Sequence, residues 1–393
     1  MRNEDELNFA ALGVSSDLVA VLEEAGISTP FPVQRLCIPD ALAGRDVCGK
    51  AKTGSGKTLA FGLPLVEKIG KAEPKRPSGL VLVPTRELAV QVAKVIKPLA
   101  ASRNQRLATV YGGSPMAKQV NDLRGGAEIV VATPGRLIDL VDRGAVELTN
   151  LNIVVLDEAD RMADMGFLPQ VEWLLRHTEG EHQMLLFSAT LDGGIQGLVD
   201  RYQTNPVFHE VGSGTVSVEL MAHRFLLVHE MDKPRLAAAI SRGVERTLVF
   251  VNTKRQADKV AKDLAALDVD AKAIHGDLRQ EVRERALKRF TGGKLSVLVA
   301  TDVAARGLDI DELDVVVHYD PAPDHKTYLH RSGRTARAGA KGLAVTLVLW
   351  NQELEIRRLK RRLDLDQPIV EMFSNDPRLA DLASWDPAQE GAA

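Results

Sequence analysis

Cysteine is nearly absent from this chain. Cys37 and Cys48 are the only two among 393 residues, too few for a disulfide framework or a zinc set, so buried thiols in a reducing compartment are expected. Aromatic residues make up 4% of the chain, which argues against base-stacking platforms of the single-strand-binding type. No apolar run approaches the roughly 20 residues of a membrane-spanning helix. The opening Met1-Arg2-Asn3-Glu4-Asp5-Glu6 is acidic and lacks the apolar stretch of a signal peptide. A cytoplasmic location without membrane association is therefore expected. A dominant charge is missing too: the net charge is −3, with 22 Lys+Arg against 26 Asp+Glu in residues 1–210 and 28 against 27 in the remainder. Any nucleic acid would have to be gripped by a local groove and backbone donors, not by a global field. Low-complexity, Arg-Gly-rich and heavily basic tails are also lacking.

What the chain does have is alternation. Short apolar, β-rich runs at Asp46–Gly49, Leu80–Val83, Leu107–Tyr111, Glu128–Ala132, Ile153–Leu156 and Met184–Phe187 are separated by helical patterns such as Arg86–Ala100 and Gly193–Tyr202. The second half repeats the scheme with runs at Thr247–Val251, Ala271–Ile274, Ser296–Ala300, Val315–His318 and Leu343–Leu347, and helical patterns at Lys254–Leu267 and Gln280–Phe290. Such alternation builds parallel sheets covered on both faces. At this length two domains are expected. The pattern places them at 1–209 and 220–370, joined by a small, polar linker at 210–219. Periodicity fades after Asp366, so 371–393 is expected to be a partly disordered tail. Parallel sheets present ligands at the C-terminal ends of their strands, and the unusual motifs of this chain all fall at such ends.

Two of those motifs carry phosphate chemistry. Ala51-Lys52-Thr53-Gly54-Ser55-Gly56-Lys57-Thr58 follows a strand and opens a helix. Gly54 and Gly56 permit the backbone to turn N–H groups toward an anion, and the helix adds its dipole. Lys57 would reach the β/γ-phosphates, and the Thr58 hydroxyl would ligate Mg²⁺. About a hundred residues later, Asp157-Glu158-Ala159-Asp160 follows Ile153-Val154-Val155-Leu156. There a buried strand would fix Asp157 near the metal and leave Glu158 to activate water. Together they describe hydrolysis of a nucleoside triphosphate. Farther on, His330-Arg331-Ser332-Gly333-Arg334-Thr335-Ala336-Arg337 offers arginines that could stabilise a transferred phosphoryl group.

Taken together, these blocks resemble the DEAD-box RNA helicases, from Phe9 to about Leu365. Further blocks carry the resemblance: Gly26 to Gln34, Pro84-Thr85-Arg86-Glu87-Leu88-Ala89, Gly112-Gly113, Thr133-Pro134-Gly135-Arg136, Ser188-Ala189-Thr190, Val249 to Asn252, Gln280 to Arg283, and Ala300-Thr301-Asp302 with Ala305 to Asp309. The resemblance implies two tandem RecA-like α/β domains with the active site in the cleft between them, and ATP with Mg²⁺ as substrate and cofactor. It assigns Phe9, Gln34, Thr53, Gly54, Ser55, Gly56, Lys57, Thr58 and Asp309 to the nucleotide, with Gln34 reading adenine and Asp309 the ribose. Thr58 and Asp157 would hold the metal. Lys57, Asp157, Glu158 and the arginine fingers Arg334 and Arg337 would carry catalysis. Arg86, Gly113, Thr133, Arg136, Gln280, Arg283 and Thr301 would contact RNA backbone. Ser188, Thr190, His330 and Arg331 would couple the two, the last pair bridging the domains.

The chain departs from the family pattern at Ile27, where an aromatic that packs on adenine is usual, at Phe31, where a small hydroxyl residue is common, and at Ser332, where an aliphatic residue is usual. The resemblance implies an RNA-stimulated ATPase that unwinds short RNA duplexes locally, through contacts indifferent to sequence. A monomeric core and recruitment by protein partners are expected. An ATP-gated RNA clamp that remodels RNA–protein complexes shares every motif.

Overall fold

A computed structural model describes residues 8–51, 54–191, 193–211, 221–305, 313–335 and 342–387. The chain divides into two units, Met1–Ser213 and Gly214–Ala393. The expected linker falls, from residue 212 on, outside the described residues.

The first unit is built on seven parallel strands: β1 (Val47–Lys50), β2 (Gly79–Leu82), β3 (Leu107–Val110), β4 (Ile129–Ala132), β5 (Ile153–Leu156), β6 (Gln183–Ser188) and β7 (Val207–Glu210), in the order β3-β4-β2-β5-β6-β1-β7. The apolar runs are continuous because the sheet is buried on both faces. Successive residues of one strand enter opposite cores. Ile153 and Val155 join the layer with Leu18, Val33, Leu63 and Val92, while Val154 and Leu156 join the layer with Leu137, Leu174 and Leu198. The same alternation separates Cys37 from Cys48. Both thiols are free, and burial pushes their pKa values up to about 12 and about 11.

The second unit repeats the plan with β8 (Met221–Leu227), β9 (Thr247–Val251), β10 (Ala271–Ile274), β11 (Val297–Thr301), β12 (Val315–His318), β13 (Gly342–Val348) and β14 (Ile369–Glu371). The order is β10-β11-β9-β12-β13-β8-β14, again parallel throughout. Three strands, β7, β8 and β14, are not visible as apolar runs. Strand β7 alternates half-buried and exposed positions, β14 is three residues long, and β8 contains His223 and Arg224, both buried. Those two polar residues are accommodated by partners: His223 Nδ1 lies 2.7 Å from the Tyr328 hydroxyl, and Arg224 Nε donates to the Leu382 carbonyl at 3.0 Å.

The last contact belongs to the segment expected as a partly disordered tail. Within 371–387, Leu379 and Leu382 are buried, and Trp385 lies under two guanidinium groups, Arg224 at 5.7 Å and Arg378 at 5.2 Å from the ring centroid. No apolar periodicity announces this stretch because cation–π and backbone contacts hold it. Residues 388–393 lie outside the described residues. Among the described residues, no helix is long and apolar enough to cross a membrane.

Strand β1 runs through a narrow passage. A Cβ on Gly49 would lie 2.6 Å from the Phe187 ring and 3.4 Å from Cys37 Sγ, and Phe187 is held in turn against Phe61 with ring centroids 5.5 Å apart. Gly49→Ala should therefore cost about 1–3 kcal/mol by overpacking. Urea unfolding followed by circular dichroism should show an earlier transition with unchanged native secondary structure.

Candidate active site and nucleic-acid interface

Because every strand of the first unit is parallel, the residues that follow β1, β2, β4, β5 and β6 emerge at one edge. The phosphate loop follows β1 and leads into the helix Lys57–Lys68. Gly54 and Gly56 have φ of +79° and +86°, a left-handed backbone that any side chain would strain. Lys57 is buried, and its Nζ donates to the Ala51 carbonyl at 2.8 Å, folding the ammonium over the loop. Ser55 and Thr58 are half-buried. Thr53 lies outside the described residues.

Strand β5 delivers Asp157, 2% exposed. Burial pushes its pKa up to about 7, against the pull of the Lys57 ammonium and with a further push from Glu158 and Asp160. Glu158 is buried and held at φ +52°, ψ +50°, a left-handed conformation that costs a non-glycine residue roughly 1–2 kcal/mol. Its Oε2 accepts from Arg161 Nη1 at 2.7 Å. Asp160 spans two loops: its Oδ2 accepts from the backbone N–H of Ala189 and of Thr190, each at 3.2 Å, while its own N–H donates to Ser188 Oγ at 3.2 Å. The Ser188 hydroxyl donates to the Thr190 carbonyl at 2.6 Å. The Asp157–Asp160 turn and the Ser188–Thr190 turn are thus one hydrogen-bonded body. Asp160 is absent from the expected site residues, although it closes the motif that contains two of them.

Gln34 sits in the first turn of the helix Pro32–Leu42 and is 1% exposed. Its Oε1 accepts from the Phe31 N–H at 2.8 Å and its Nε2 donates to the Gly56 carbonyl at 2.9 Å, which ties the helix to the phosphate loop. An amide has two donor and two acceptor sites, so one of each remains beyond these two contacts. Phe31, beside Gly56, is 56% exposed and Ile27 36%. Phe9, also expected at the nucleotide, is 1% exposed and lies in the core layer that carries the helix Pro32–Leu42.

A second group gathers at the ends of β2, β3 and β4. Thr85 caps the helix Arg86–Ser102 by accepting from the Leu88 N–H at 3.3 Å. The Arg86 guanidinium lies against Gly113, whose φ is +81°, and fills the space a Cβ would need. Thr133 precedes the helix Pro134–Asp142 and donates its N–H to the Val110 carbonyl at 2.9 Å. Arg136 donates from Nη1 to the Ser114 carbonyl at 3.3 Å and to Gln119 Oε1 at 3.4 Å. Arg86, Gly113, Thr133 and Arg136 therefore converge on the 110–114 loop. Two guanidinium groups and two helix N-termini there form a surface suited to phosphates.

In the second unit, Arg331, expected to couple the two domains, holds turns of its own unit together. It is 1% exposed, and its guanidinium is committed inside that unit: Nε and Nη2 donate to both Asp302 oxygens at 2.6 and 2.7 Å, Nη1 to the Asp320 carbonyl at 2.7 Å, and Nη2 to Asn252 Oδ1 at 3.1 Å. With four of its five N–H groups so engaged, Arg331 locks together the turns after β9, β11 and β12. Asp302 closes one of the sequence blocks without an assigned role and Asp320 lies in none, because each needs the fold to reveal its partner. Ser332 is equally integrated, with Oγ 3.0 Å from Nε2 of the buried His318, which stacks on Tyr328 with centroids 4.7 Å apart. Burial and the Arg331 charge hold the His318 pKa well below the usual range. The departure at Ser332 thus pairs with a histidine at 318. His330 is exposed and Arg334 half-buried; Thr301 ends β11, Arg283 is buried, and Gln280 opens the helix Gln280–Thr291. Asp309 and Arg337 lie outside the described residues.

Among the described residues, no group of three or more His, Cys, Asp or Glu is placed to hold a metal. The Asp157 carboxylate and the Thr58 hydroxyl, both hard oxygen donors, suit an ion that keeps several waters and takes its remaining ligands from phosphate. The desolvated Asp157 fits such an ion, because a nearby cation restores its charged form.

Residues 31–197 match the family model of the DEAD/DEAH box helicases, and residues 233–339 match that of the helicase conserved C-terminal domain. The DEAD-box ATP-dependent RNA helicase CshA of Bacillus licheniformis is 40% identical over 364 residues, covering 91% of this chain and 74% of that protein. A mitochondrial DEAD-box ATP-dependent RNA helicase 9 of Arabidopsis thaliana is 40% identical over 370 residues, 91% of this chain and 60% of that one. Among solved structures, S. cerevisiae Dbp5 bound to RNA and ADP BeF3 superposes with a TM-score of 0.82 at 28% identity, covering 94% of this chain and 96% of that one.

The Asp160 bridge makes a specific demand. Asp160→Ala should strip two backbone donors of their acceptor, at about 1–3 kcal/mol for a buried group. Hydrogen exchange at Ala189 and Thr190 should accelerate about ten-fold or more, while amides of β2 and β5 keep their protection.

Proposed function

This chain belongs to the DEAD-box ATP-dependent RNA helicases, and we propose that it opens short RNA duplexes locally, with the first unit's strand-end residues as its ATPase centre. The observation that carries the proposal is the desolvated Asp157 facing the phosphate loop and Lys57, with Glu158 beside it in a strained backbone conformation. Lys57, released from the Ala51 carbonyl, meets the β/γ-phosphates. Thr58 and Asp157 hold Mg²⁺, which neutralises charge on the phosphates when bound. Glu158, after exchanging its Arg161 partner for water, orients the nucleophile and takes its proton. The free donor and acceptor of Gln34 match the N7 and N6 edge of adenine, and the exposed Phe31 ring supplies the apolar face that Ile27 offers only in part. Arg334 and Arg337 act as fingers, a contribution worth about 10³–10⁵ in rate where such residues have been analysed.

Arg86, Gly113, Thr133 and Arg136 in the first unit, and Gln280, Arg283 and Thr301 in the second, contact RNA phosphates and sugars. The Dbp5 structures, which hold RNA and ADP BeF3, support ATP-dependent RNA binding by a chain of this fold. A further Dbp5 structure contains Gle1 and covers 95% of this chain at 26% identity, TM-score 0.73, which supports recruitment or regulation by a protein partner. Micromolar binding corresponds to about 8 kcal/mol, and stacking to about 1.4 kcal/mol per step on the DNA scale. One cycle then reaches at most about six base-pair steps, which is why the proposed substrate is short or already structured RNA.

Lys57→Ala should remove hydrolysis, and Glu158→Gln should keep nucleotide binding while stopping turnover. Calorimetry with ATP and steady-state phosphate release separate the two, and near wild-type turnover in either variant contradicts the assigned chemistry. Gln34→Ala should lower the preference for ATP over GTP, because a base-reading amide rejects the wrong base through unpaired polar groups. An unchanged ratio would leave Gln34 only its tie to Gly56.

A further inference from the structure

The helix Glu353–Arg362, near the end of the second unit, belongs to none of the motifs above. Its inward face is ordinary, with Ile356, Leu359 and Leu363 buried. Its outward face is not. Five of the six residues 357–362 are basic, in a half of the chain whose other charges are 23 Lys+Arg against 27 Asp+Glu. Arg357 is paired with Glu353 at 2.6 Å, and Lys360 lies over the Phe225 ring at 5.5 Å from its centroid. Arg358, Arg361 and Arg362 are exposed, and among the described residues none of the three has an ion-pair partner. The stripe begins with apolar surface: Leu354 is 60% exposed, and Trp350, in the single 3-10 turn that leads into the helix, is 66% exposed. Leu354, Arg358 and Arg361 stand at i, i+4 and i+7 and share one face.

Helix electrostatics explains only part of this. Cations in a last turn complement the helix dipole, but that effect needs one or two groups and gives no reason for an exposed indole in a chain with three tryptophans. A membrane surface does not fit, because the helix spends its apolar face on the core. Guanidinium groups recognise phosphate bidentately, and an exposed indole stacks on a base whatever its identity. We infer that Trp350, Leu354, Arg358, Arg361 and Arg362 form an accessory site for single-stranded RNA, outside the segment held by the motif residues. The inference rests on the reading of this chain as an RNA-binding helicase. The site would hold RNA that flanks the engaged duplex, and would raise affinity for long RNA without entering the chemistry.

The test uses the full chain with ATP and fluorescein-labelled single-stranded RNAs of about 8 and about 30 nucleotides. In the wild type the long RNA should bind more tightly. Arg358→Glu/Arg361→Glu/Arg362→Glu should weaken the long RNA about ten-fold or more, and should lower the slope of log affinity against log salt by about 2, at about 0.7 for each phosphate no longer neutralised. Binding of the short RNA and ATPase at saturating short RNA should stay unchanged. The milder Arg→Gln triple variant should show the same pattern at reduced size and guards against misfolding of the charge-reversed chain. Trp350→Ala should weaken the long RNA several-fold, and Trp350→Phe should restore most of the affinity. An accessory site is overturned if wild-type affinity does not depend on length, if the variants leave long-RNA binding intact as expected of a protein-docking helix, or if both RNAs weaken equally. Arg86→Ala and Arg136→Ala test the motif contacts on the short RNA alone, so failure of that reading is seen separately.

Discussion

A carboxylate that leaves water must be protonated or find a cation, and the first unit is organised around one that has left water. Asp157 directly follows a strand whose four residues are all buried, so the parallel sheet places it where solvation is poor. Burial outweighs the attraction of Lys57 and pushes its pKa up to about 7. A cation beside it would restore its charged form. The neighbouring groups are held in waiting positions: Lys57 on a backbone carbonyl, Glu158 on Arg161, and Gln34 on the phosphate loop.

The second unit solves the opposite problem with the same chemistry. Arg331 is a buried cation, and a buried unpaired charge is costly. Both oxygens of Asp302, the Asp320 carbonyl and Asn252 surround it, and its guanidinium also lies 5.1 Å from the Phe250 ring centroid. That arrangement makes Arg331 a positioning residue for three strand-end turns, and one end of the helix that carries it leads to Arg334. A polar layer lies behind it, from Ser332 through His318 to Tyr328 and His223.

Much of this was legible in the sequence, for reasons that can be named. Strands buried on both faces write themselves as unbroken apolar runs, so β2, β4, β5, β9, β11 and β12 were visible. The strands that were not, β7, β8 and β14, are an edge strand, a strand with two internal polar residues and a three-residue strand. Glycines forced by backbone geometry marked the phosphate loop. Residues whose meaning depends on a partner were not legible singly: Asp160 on the Ser188–Thr190 turn, Asp302 and Asp320 around Arg331, and His318 opposite Ser332. Phe9 and Arg331 have the expected residue types at the expected spacing, and each is buried within its own unit, which the sequence does not announce. Spacing fixes where a residue enters the fold, while burial decides what its side chain is free to touch.

The central claim is that ATP use by this chain opens RNA and does not merely clamp it. Displacement of one strand from a short RNA duplex with a single-stranded flank, followed by gel shift in the presence of excess trap strand, measures this directly. The account predicts displacement that requires ATP and Mg²⁺, declines steeply as the duplex is lengthened, and is absent with ADP. Tight ATP-dependent RNA binding with the duplex left intact at every length would contradict it.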